Sequence, residues 1–362
     1  MKSITAAFPR ERSNINIASI AKALKPKINY KSTSKNMIIS LVSILLFVLL
    51  WHLGSKALYN IEADSRIATV LAEQGAAEAD KLKACIASGD ISCQPNTLPT
   101  PLQVWTASQA LLADHFAINK KKEEFLAEVS ATNKGRKASG LAPIKYTGRP
   151  SFVDQIITSL KTVAVGFLIA MLIAVPLGVL IGLNANLKTA FNWLIQIFKP
   201  VSPVVWLLLV FMIVKTLTLD SQADTSFIIS SISVGLCAMW ATLVNTSVGV
   251  SSVNQDYINV SKVLNLGIGK QIFKVILPSA IPLIFTGLRI TLSVAWMVLI
   301  AIELLAQSPG LGSFVWEEFQ NGANDSNAKI IVAMFIIGII GFMLDRIMYW
   351  VQKSVSFEKA LA

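Results

Sequence analysis

The chain has 362 residues, of which 54% are hydrophobic and only 15% are charged. Soluble domains carry roughly 25% charged residues, so this composition excludes an ordinary water-soluble protein. Several stretches of about 20 residues are almost free of charge, and a helix needs that length to cross a bilayer. The net charge is +11, but the cations are segregated by position, which argues against nucleic-acid binding.

The amino-terminal segment 1–36 is basic, with eight Lys or Arg residues against one acid, Glu11. Positive residues ahead of a first apolar stretch keep that end in the cytoplasm. The stretch 37–58 is too long for the apolar region of a cleaved signal peptide, and no small-residue cleavage site follows it. We therefore predict a cytoplasmic tail over 1–36 and a retained transmembrane helix over 37–58.

A long polar segment, 59–155, follows the first apolar stretch, and we predict that it is an extracytoplasmic insertion. Apolar residues at helical spacing predict one or two surface helices over 102–129, and the basic stretch 134–149 is typical of a loop. Cys85 and Cys93 either close a short disulfide or stay free thiols. The insertion is either a cap without chemistry or a docking surface for an extracytoplasmic partner.

Five further apolar stretches predict a five-helix core over 156–351. The short loops on one side carry Lys and those on the other carry acids, which predicts cytoplasmic termini, a cytoplasmic loop over 249–280 and a cytoplasmic tail over 352–362. The fold class is thus an all-α, multi-pass inner-membrane protein with six transmembrane helices. The predicted spans are 37–58, 156–183, 201–219 (interrupted at its start by Pro200 and Pro203), 227–248, 281–305 and 330–351.

Signatures of enzyme chemistry are missing from the sequence. It contains no GxxxxGK[ST] phosphate-binding loop, and His52 and His115 are isolated. Cys237 lies inside an apolar stretch, where a small buried side chain is the usual role. We predict a transport subunit without its own catalytic, nucleotide-binding, cofactor or metal site.

The loop before the fifth span has the pattern of a short amphipathic helix. Val260, Val263 and Leu264 share one helical face, and Lys262 and Asn259 lie off it. An apolar face outside the bilayer core needs a surface to cover it. That surface is either the membrane or a groove in a partner protein.

This loop resembles the EAA loop of ABC importer permeases, in which Glu-Ala-Ala, three residues, Gly and nine further residues precede Ile-x-Leu-Pro. The spacing is kept here, whereas the first four identities are not. Aligned on Pro278, the Glu-Ala-Ala positions fall on residues 259–261, the Gly position on Asn265 and the closing positions on residues 275–278. The ATPase-coupling residues that this resemblance implies are Asn259, Val260, Ser261, Val263, Leu264, Asn265, Gly267, Val275, Leu277 and Pro278.

Other strings resemble permeases of the nitrate, sulfonate and taurine import family, most closely its nitrate-type branch. The resemblance covers 37–58 and about 150–362, and the segment 59–150 departs from it as a long insertion. The strings are Ser159-Leu160, Gly166-Phe167, Pro176-Leu177-Gly178 and Gly182; Lys199-Pro200-Val201-Ser202-Pro203 and Trp206; Thr286-Gly287-Leu288-Arg289; Trp296; Glu303-Leu304-Leu305; and Pro309-Gly310-Leu311-Gly312.

The resemblance implies a type I importer in which two permease copies, expected to form a homodimer, enclose one path through the bilayer. Separate ABC ATPase subunits would bind at the cytoplasmic face, and an extracytoplasmic binding protein would deliver the substrate. A small anion is expected, nitrate first, with sulfonates such as taurine, bicarbonate or cyanate as alternatives. A secondary transporter, a channel without an ATPase and a structural scaffold are the alternatives of another class.

Two intramembrane charges, Arg289 and Glu303, are candidates for the path or a gate, because charges inside a bilayer are costly. Glu303 lies near the outer end of its span and is an interfacial residue in water, a gate or an ion-pair partner. Arg289 either extends to the cytoplasmic surface or faces the path and attracts an anion. Asp345 and Arg346 are expected to be solvated or paired with each other. The polar residues Thr158, Thr162, Ser231, Thr242, Asn245, Thr291 and Ser293 fit helix packing or a polar path.

Overall fold

The computed structural model describes residues 30–90, 92–95, 97–217, 225–323 and 325–355. Every regular element within these residues is a helix. The chain divides into two compact units, Met1–Lys56 and Ala57–Ala362. Most of the predicted amino-terminal tail and the end of the predicted carboxyl-terminal tail lie outside the described residues.

The helices are numbered here in chain order. They are α1 (Tyr30–Gln74), α2 (Ala76–Ser88), α3 (Pro101–Glu128), α4 (Ser130–Ala138), α5 (Phe152–Leu183), α6 (Ala185–Phe198), α7 (Pro203–Leu217), α8 (Thr225–Ser251), α9 (Gln255–Val263), α10 (Ile268–Gln271), a π-helical segment (Ile272–Ile276), α11 (Leu277–Ala306), α12 (Leu311–Asn321) and α13 (Ser326–Val355).

Five helical stretches of the described residues are long and apolar enough to cross a membrane. Each contains one of the predicted spans, because a run of about 20 apolar residues is the signal that a bilayer imposes. The all-α membrane fold predicted from the sequence is therefore confirmed. The five stretches are Met37–Gln74, Phe152–Leu183, Thr225–Ser251, Ile268–Ala306 and Ser326–Val355.

The described part of the predicted third span, 201–219, is one helix, α7, and it begins at Pro203, where the sequence predicted an interruption. Its 15 described residues are fewer than a membrane crossing requires, and the end of the predicted span, 218–219, lies outside the described residues. Helices α6 and α7 together are apolar enough for a span, but they are bent by 101° at the break between them. Pro200 and Pro203 lie at this break, where a proline lacks the N–H that a continuing helix would use.

Helix α8 lies at the centre of the bundle and packs against α5 and α11. Gly166 and Gly178 of α5 bring that helix close to the backbone of α8, since a Cβ at Gly166 would lie 2.9 Å from the carbonyl oxygen of Ser231. Gly287 of α11 approaches α8 in the same way, against Thr242. Small residues at helix contacts are what membrane bundles use to pack, because lipid supplies no hydrophobic drive between helices.

Replacement of Gly166 by Ala is expected to destabilise the purified protein by about 1–3 kcal/mol, because the added methyl meets backbone that cannot move aside. The measurement is the thermal unfolding midpoint in detergent. Gly338→Ala is the matched control, since a Cβ at Gly338 of α13 would meet nothing within 4 Å. Equal midpoints for the two variants would show that α5 and α8 do not approach as closely as described.

The segment between α1 and α5 is folded against the core. Its long helix α3 begins with a capping box, in which Thr100 accepts a hydrogen bond from the Gln103 N–H. Helix α3 is fixed to the start of α5 by the ion pair between Arg149 and Asp114, at 2.6 Å. The contact between His115 Nδ1 and Ser151 Oγ, at 2.7 Å, adds to this.

The structure of this segment agrees with one prediction from the sequence, corrects a second and decides between the alternatives of a third. One helix, α3, occupies the region where one or two were predicted. The loop predicted over 134–149 is wrong in its first part, because α4 extends to Ala138; its last turn carries Arg136 and Lys137, which favour a helix carboxyl end. Cys85 and Cys93 form a disulfide. The extracytoplasmic location of the segment stays a prediction.

Candidate coupling segment and buried polar groups

Residues 254–278 connect α8 to α11 and contain the short helix α9. Asn254 caps its start, since the side-chain oxygen accepts the Asp256 N–H at 2.9 Å. At its end the Leu266 N–H donates to the Ser261 carbonyl (3.1 Å) and the Asn265 N–H donates to the Lys262 carbonyl (3.0 Å). This pair of bonds is a Schellman motif, which stops a helix and reverses the chain.

Asn265 takes the left-handed conformation that the Schellman motif requires, with φ at 50°. The resemblance aligns this residue with a Gly in the EAA loop. Gly adopts positive φ without strain, and Asn is the side chain that tolerates it next best. The turn geometry is therefore kept although the residue is different.

Helix α9 presents its apolar residues outward. Val263 is 83% exposed, Leu264 65% and Val260 57%. Ser261, on the other side, is buried, and its hydroxyl donates to the Ile258 carbonyl at 2.7 Å. The predicted apolar face is thus present, and within this chain it is uncovered.

The return from α9 to the membrane forms the second side of a shallow cavity. Gly267 starts α10, the π-helical segment follows, and Leu277 and Pro278 open α11. The cavity has a volume of about 370 Å³ and is mainly apolar. Its lining comprises Tyr257, Val260, Ser261, Leu264, Leu266, Lys274, Val275, Pro278 and Ser279. Seven of the ten candidate coupling residues lie in α9 or this lining, and Asn265, Gly267 and Leu277 connect them.

Arg289 pairs with Asp345 across α11 and α13. Its Nη2 donates to Asp345 Oδ2 at 2.7 Å, and its Nε donates to the other carboxylate oxygen. Asp345 is therefore paired with Arg289 and not with Arg346, and its side chain remains 28% exposed to solvent. The Arg346 guanidinium instead lies over the Phe342 ring, 5.0 Å from its centroid.

The Arg289–Asp345 pair is expected to contribute about 0.5–1 kcal/mol to stability, because both side chains are about a third exposed and solvent screens them. A double-mutant cycle with Arg289→Gln and Asp345→Asn, followed by thermal unfolding, measures this coupling. Arg346→Gln is the control, and it should show a smaller coupling to Asp345→Asn, because Arg346 makes no hydrogen bond to Asp345 and acts on it only through charge at longer range. Additive effects of the Arg289 and Asp345 substitutions would contradict the pairing.

Glu303 of α11 is buried, with 1% of its surface exposed, so the interpretation as an interfacial residue in water is wrong. Ser159 Oγ of α5 contacts both carboxylate oxygens, at 2.7 and 2.9 Å. The Gly312 N–H of α12 donates to the same carboxylate at 2.9 Å, and the Leu311 N–H donates to Ser159 Oγ at 2.9 Å. One carboxylate therefore joins α5, α11 and α12.

The turn between α11 and α12 is shaped around this carboxylate. A Cβ at Gly310 would overlap the Glu303 carboxyl group, and one at Gly312 would overlap the Ile300 carbonyl. Among the described residues, no Lys, Arg or His lies within ion-pair distance of Glu303. The hydrogen bonds from Ser159 and Gly312 thus take the place of the ion-pair partner that the sequence suggested.

The other polar residues of the spans bond mostly within the bundle. Thr242 of α8 and Thr291 of α11 share a hydrogen bond of 2.7 Å between the helices. Four others bond to carbonyls of their own helix, which satisfies them without a path. These four are Thr158, Thr162, Asn245 and Ser293.

Comparison with known proteins identifies the family. The family described as "Binding-protein-dependent transport system inner membrane component" matches residues 174–357. The chain belongs to this family. The matched part of this permease contains the 254–278 segment, Arg289, Glu303 and Asp345, whereas Ser159 and α3 lie before it.

Two sequence relatives and one solved structure are each similar to 56% of the permease chain. The nitrate import permease protein NrtB of Synechococcus elongatus is 33% identical over 202 residues, 56% of this chain and 69% of that protein. The bicarbonate transport system permease protein CmpB of the same organism is 37% identical over 203 residues, 56% and 68% of the two chains. The inward-facing MetNI methionine ABC transporter gives a TM-score of 0.48 at 16% identity, covering 56% of this chain and 95% of that one.

Sequence reasoning missed the partners of both intramembrane charges. Ser159 precedes Glu303 by 144 residues and Asp345 follows Arg289 by 56, and nothing in local spacing links positions so far apart. Ser159-Leu160 was among the strings that carry the family resemblance, which is the one signal for that serine. For Asp345 the only signal was the cost of an unpaired charge at membrane depth.

Proposed function

We propose that this permease is the membrane subunit of an ATP-driven importer for a small oxyanion, nitrate first. It lies in the inner membrane with both termini in the cytoplasm. Separate ABC ATPases bind at the 254–278 segment, and their closure tips the helix bundle between inward- and outward-facing states. The permease has no nucleotide site of its own.

The observation that carries this proposal is the uncovered apolar face of α9. Val263 and Leu264 would each gain about 1.5–3 kcal/mol on burial, and a short helix with such a face fits a groove in a partner protein. The charged Lys262 lies between Val260 and Val263 in the sequence, and its charge makes this short helix poorly suited to lie in the hydrocarbon of a bilayer. Of the ten coupling residues, seven lie in α9 or line the adjacent cavity, and Asn265, Gly267 and Leu277 connect them.

Nitrate and bicarbonate are the two substrates that the relatives' names support. Both are small planar anions with one negative charge and three oxygens, so a path that accepts one is chemically close to accepting the other. Identities of 33% and 37% to the respective permeases do not separate them. Nitrate is proposed on the Lys-Pro-Val-Ser-Pro and Thr-Gly-Leu-Arg strings.

Two further partners belong to the proposal. An extracytoplasmic binding protein delivers the anion, as the family description implies, and the segment 59–155 lies on its side of the membrane. A second copy of the permease completes the path, so that two 254–278 segments engage two ATPases. Within the bundle, Glu303 is assigned to the outer gate, and Arg289 connects α11 to α13 near the path.

The experiment is ATP hydrolysis by the permease reconstituted with its ATPase and binding protein. Nitrate-loaded binding protein is expected to stimulate hydrolysis several-fold, and unloaded protein is not. If only bicarbonate-loaded binding protein stimulates ATP hydrolysis, the protein is still an importer but its substrate is bicarbonate. If the rate of ATP hydrolysis is the same with and without the binding protein for every anion tested, the proposed import function is wrong.

A further inference from the structure

A second cavity lies at the outer end of α5, away from the 254–278 segment. Its volume is about 290 Å³, and it is bounded by α3, the segment before α5 and the first turns of α5. Three cations line it, Lys122, Arg149 and Lys161. Ile118 and Ile157 form part of its apolar wall.

The charge in this cavity is unbalanced. Its one carboxylate, Asp154, is held at the start of α5 by the hydroxyl of Ser151, at 2.8 Å. Arg149 is paired with Asp114. Lys122 and Lys161 have no described carboxylate within 4.0 Å. Lys122 interacts with Asp154 at longer range, so the two lysines and this one carboxylate leave an excess positive charge at the cavity, which favours an anionic occupant.

The cavity lies at the level of lipid head groups. Helix α5 has 32 residues, about 48 Å at 1.5 Å per residue, whereas the hydrocarbon core is about 30 Å thick. Its first turns carry Asp154 and Lys161, whereas its last turns are apolar, so we infer that the first turns extend into the interface. The side chain of Lys161 points back toward this end of α5, as helical side chains do.

An exposed apolar stripe continues from Lys161 along α5 toward the bilayer centre. Val165 is 36% exposed, Leu168 48% and Leu172 69%, at spacings of three and four residues that keep them on one face. The opposite face of α5, with Ala170 and Ala174, is fully buried. A cationic cavity at one end of an apolar stripe is complementary to both parts of an anionic amphiphile, its charged head group and its apolar chain.

We propose that this cavity is a binding site for the phosphodiester head group of an anionic phospholipid, with its acyl chain along the Val165–Leu172 stripe. Lys122 and Lys161 neutralise the phosphate, and Arg149 lies beside them as a further donor. The bound lipid would join α3 to α5, and so would fasten the insertion to the permease core. This inference is independent of which anion is transported.

The test titrates the full-length permease in detergent with phosphatidylglycerol and with phosphatidylcholine, and counts bound lipids by native mass spectrometry. The wild type is expected to bind phosphatidylglycerol at least about tenfold more tightly than phosphatidylcholine. The Lys122→Gln/Lys161→Gln variant is expected to lose that preference, since each lysine near a membrane surface strengthens the binding of anionic lipid about fivefold. Lys161→Gln alone should give an intermediate loss. The matched control is Lys120→Gln/Lys121→Gln, which removes two exposed charges from α3 outside the cavity.

Three results would overturn the proposal. The first is equal binding of the two lipids by the wild type. The second is an equal loss in the control variant, which would mean that overall charge and not the cavity selects the lipid. The third is displacement of phosphatidylglycerol from the wild type by excess inorganic phosphate or nitrate, which would assign the cavity to a free oxyanion.

Discussion

Glu303→Ala is expected to destabilise the permease by about 2–4 kcal/mol, because it leaves the Ser159 hydroxyl and the Gly312 N–H buried without their acceptor. It also opens a void between α5, α11 and α12. The measurement is thermal unfolding of the purified protein, followed by tryptophan fluorescence. A melting midpoint equal to that of the wild type would contradict the structural role given to this carboxylate.

Two further variants separate charge from shape at this position. Glu303→Gln keeps an oxygen that can accept from Ser159 and Gly312, so we expect it to lose less stability than Glu303→Ala. Glu317→Ala is the control, because Glu317 lies on the neighbouring helix α12 and its side chain is exposed. If Glu303 acts in the outer gate, Glu303→Gln will reduce transport more than its stability loss accounts for.

Val263→Asp and Leu264→Asp are expected to abolish retention of the ATPase when the permease is purified by a tag. Each substitution places a charge where burial of an apolar side chain would otherwise stabilise the complex. Because both residues are largely exposed in this chain, insertion and folding should be unaffected. The readout is the amount of co-purified ATPase per permease, with size-exclusion profiles to verify folding.

Leu141→Asp is the matched control for Leu264→Asp. Leu141 is 54% exposed and lies in the 59–155 segment, on the predicted opposite side of the membrane, so this variant should retain the ATPase as the wild type does. If Val263→Asp and Leu264→Asp also retain it, α9 is not the docking site. If the wild type retains no ATPase, an autonomous transporter or channel becomes the better account.

Sequence length and composition predicted five of the helices that can span the membrane, since the bilayer dictates a run of apolar residues. Pro200 and Pro203 also predicted an interruption at the start of the third span, but not that the preceding residues form the helix α6 at 101° to α7, because two prolines are compatible with either a kinked or a broken helix. The helix α4 was missed because its residues are basic and polar and none of them is buried, so it lacks the apolar face by which a sequence reveals a helix.

The candidate functional residues also include some features that the sequence predicted and others that it did not. The apolar face of α9 follows from the spacing of Val260, Val263 and Leu264 alone, and it was predicted. The burial of Glu303 was not, because its hydrogen-bond partners come from another helix and from a turn that only tertiary packing brings near. The free-energy cost of a charged side chain inside the bilayer shows which residues need a partner. Only the fold identifies that partner.

The most direct test of the account is uptake of labelled nitrate by proteoliposomes that contain the permease, its ATPase and its binding protein. The account predicts uptake that requires ATP and the binding protein, and that is lost with Leu264→Asp but kept with Leu141→Asp. Uptake of labelled bicarbonate in place of nitrate would change the assigned substrate and leave the importer mechanism as proposed. Uptake that proceeds without ATP, or with Leu264→Asp at the wild-type rate, would contradict the central claim that an ATPase drives this permease through α9.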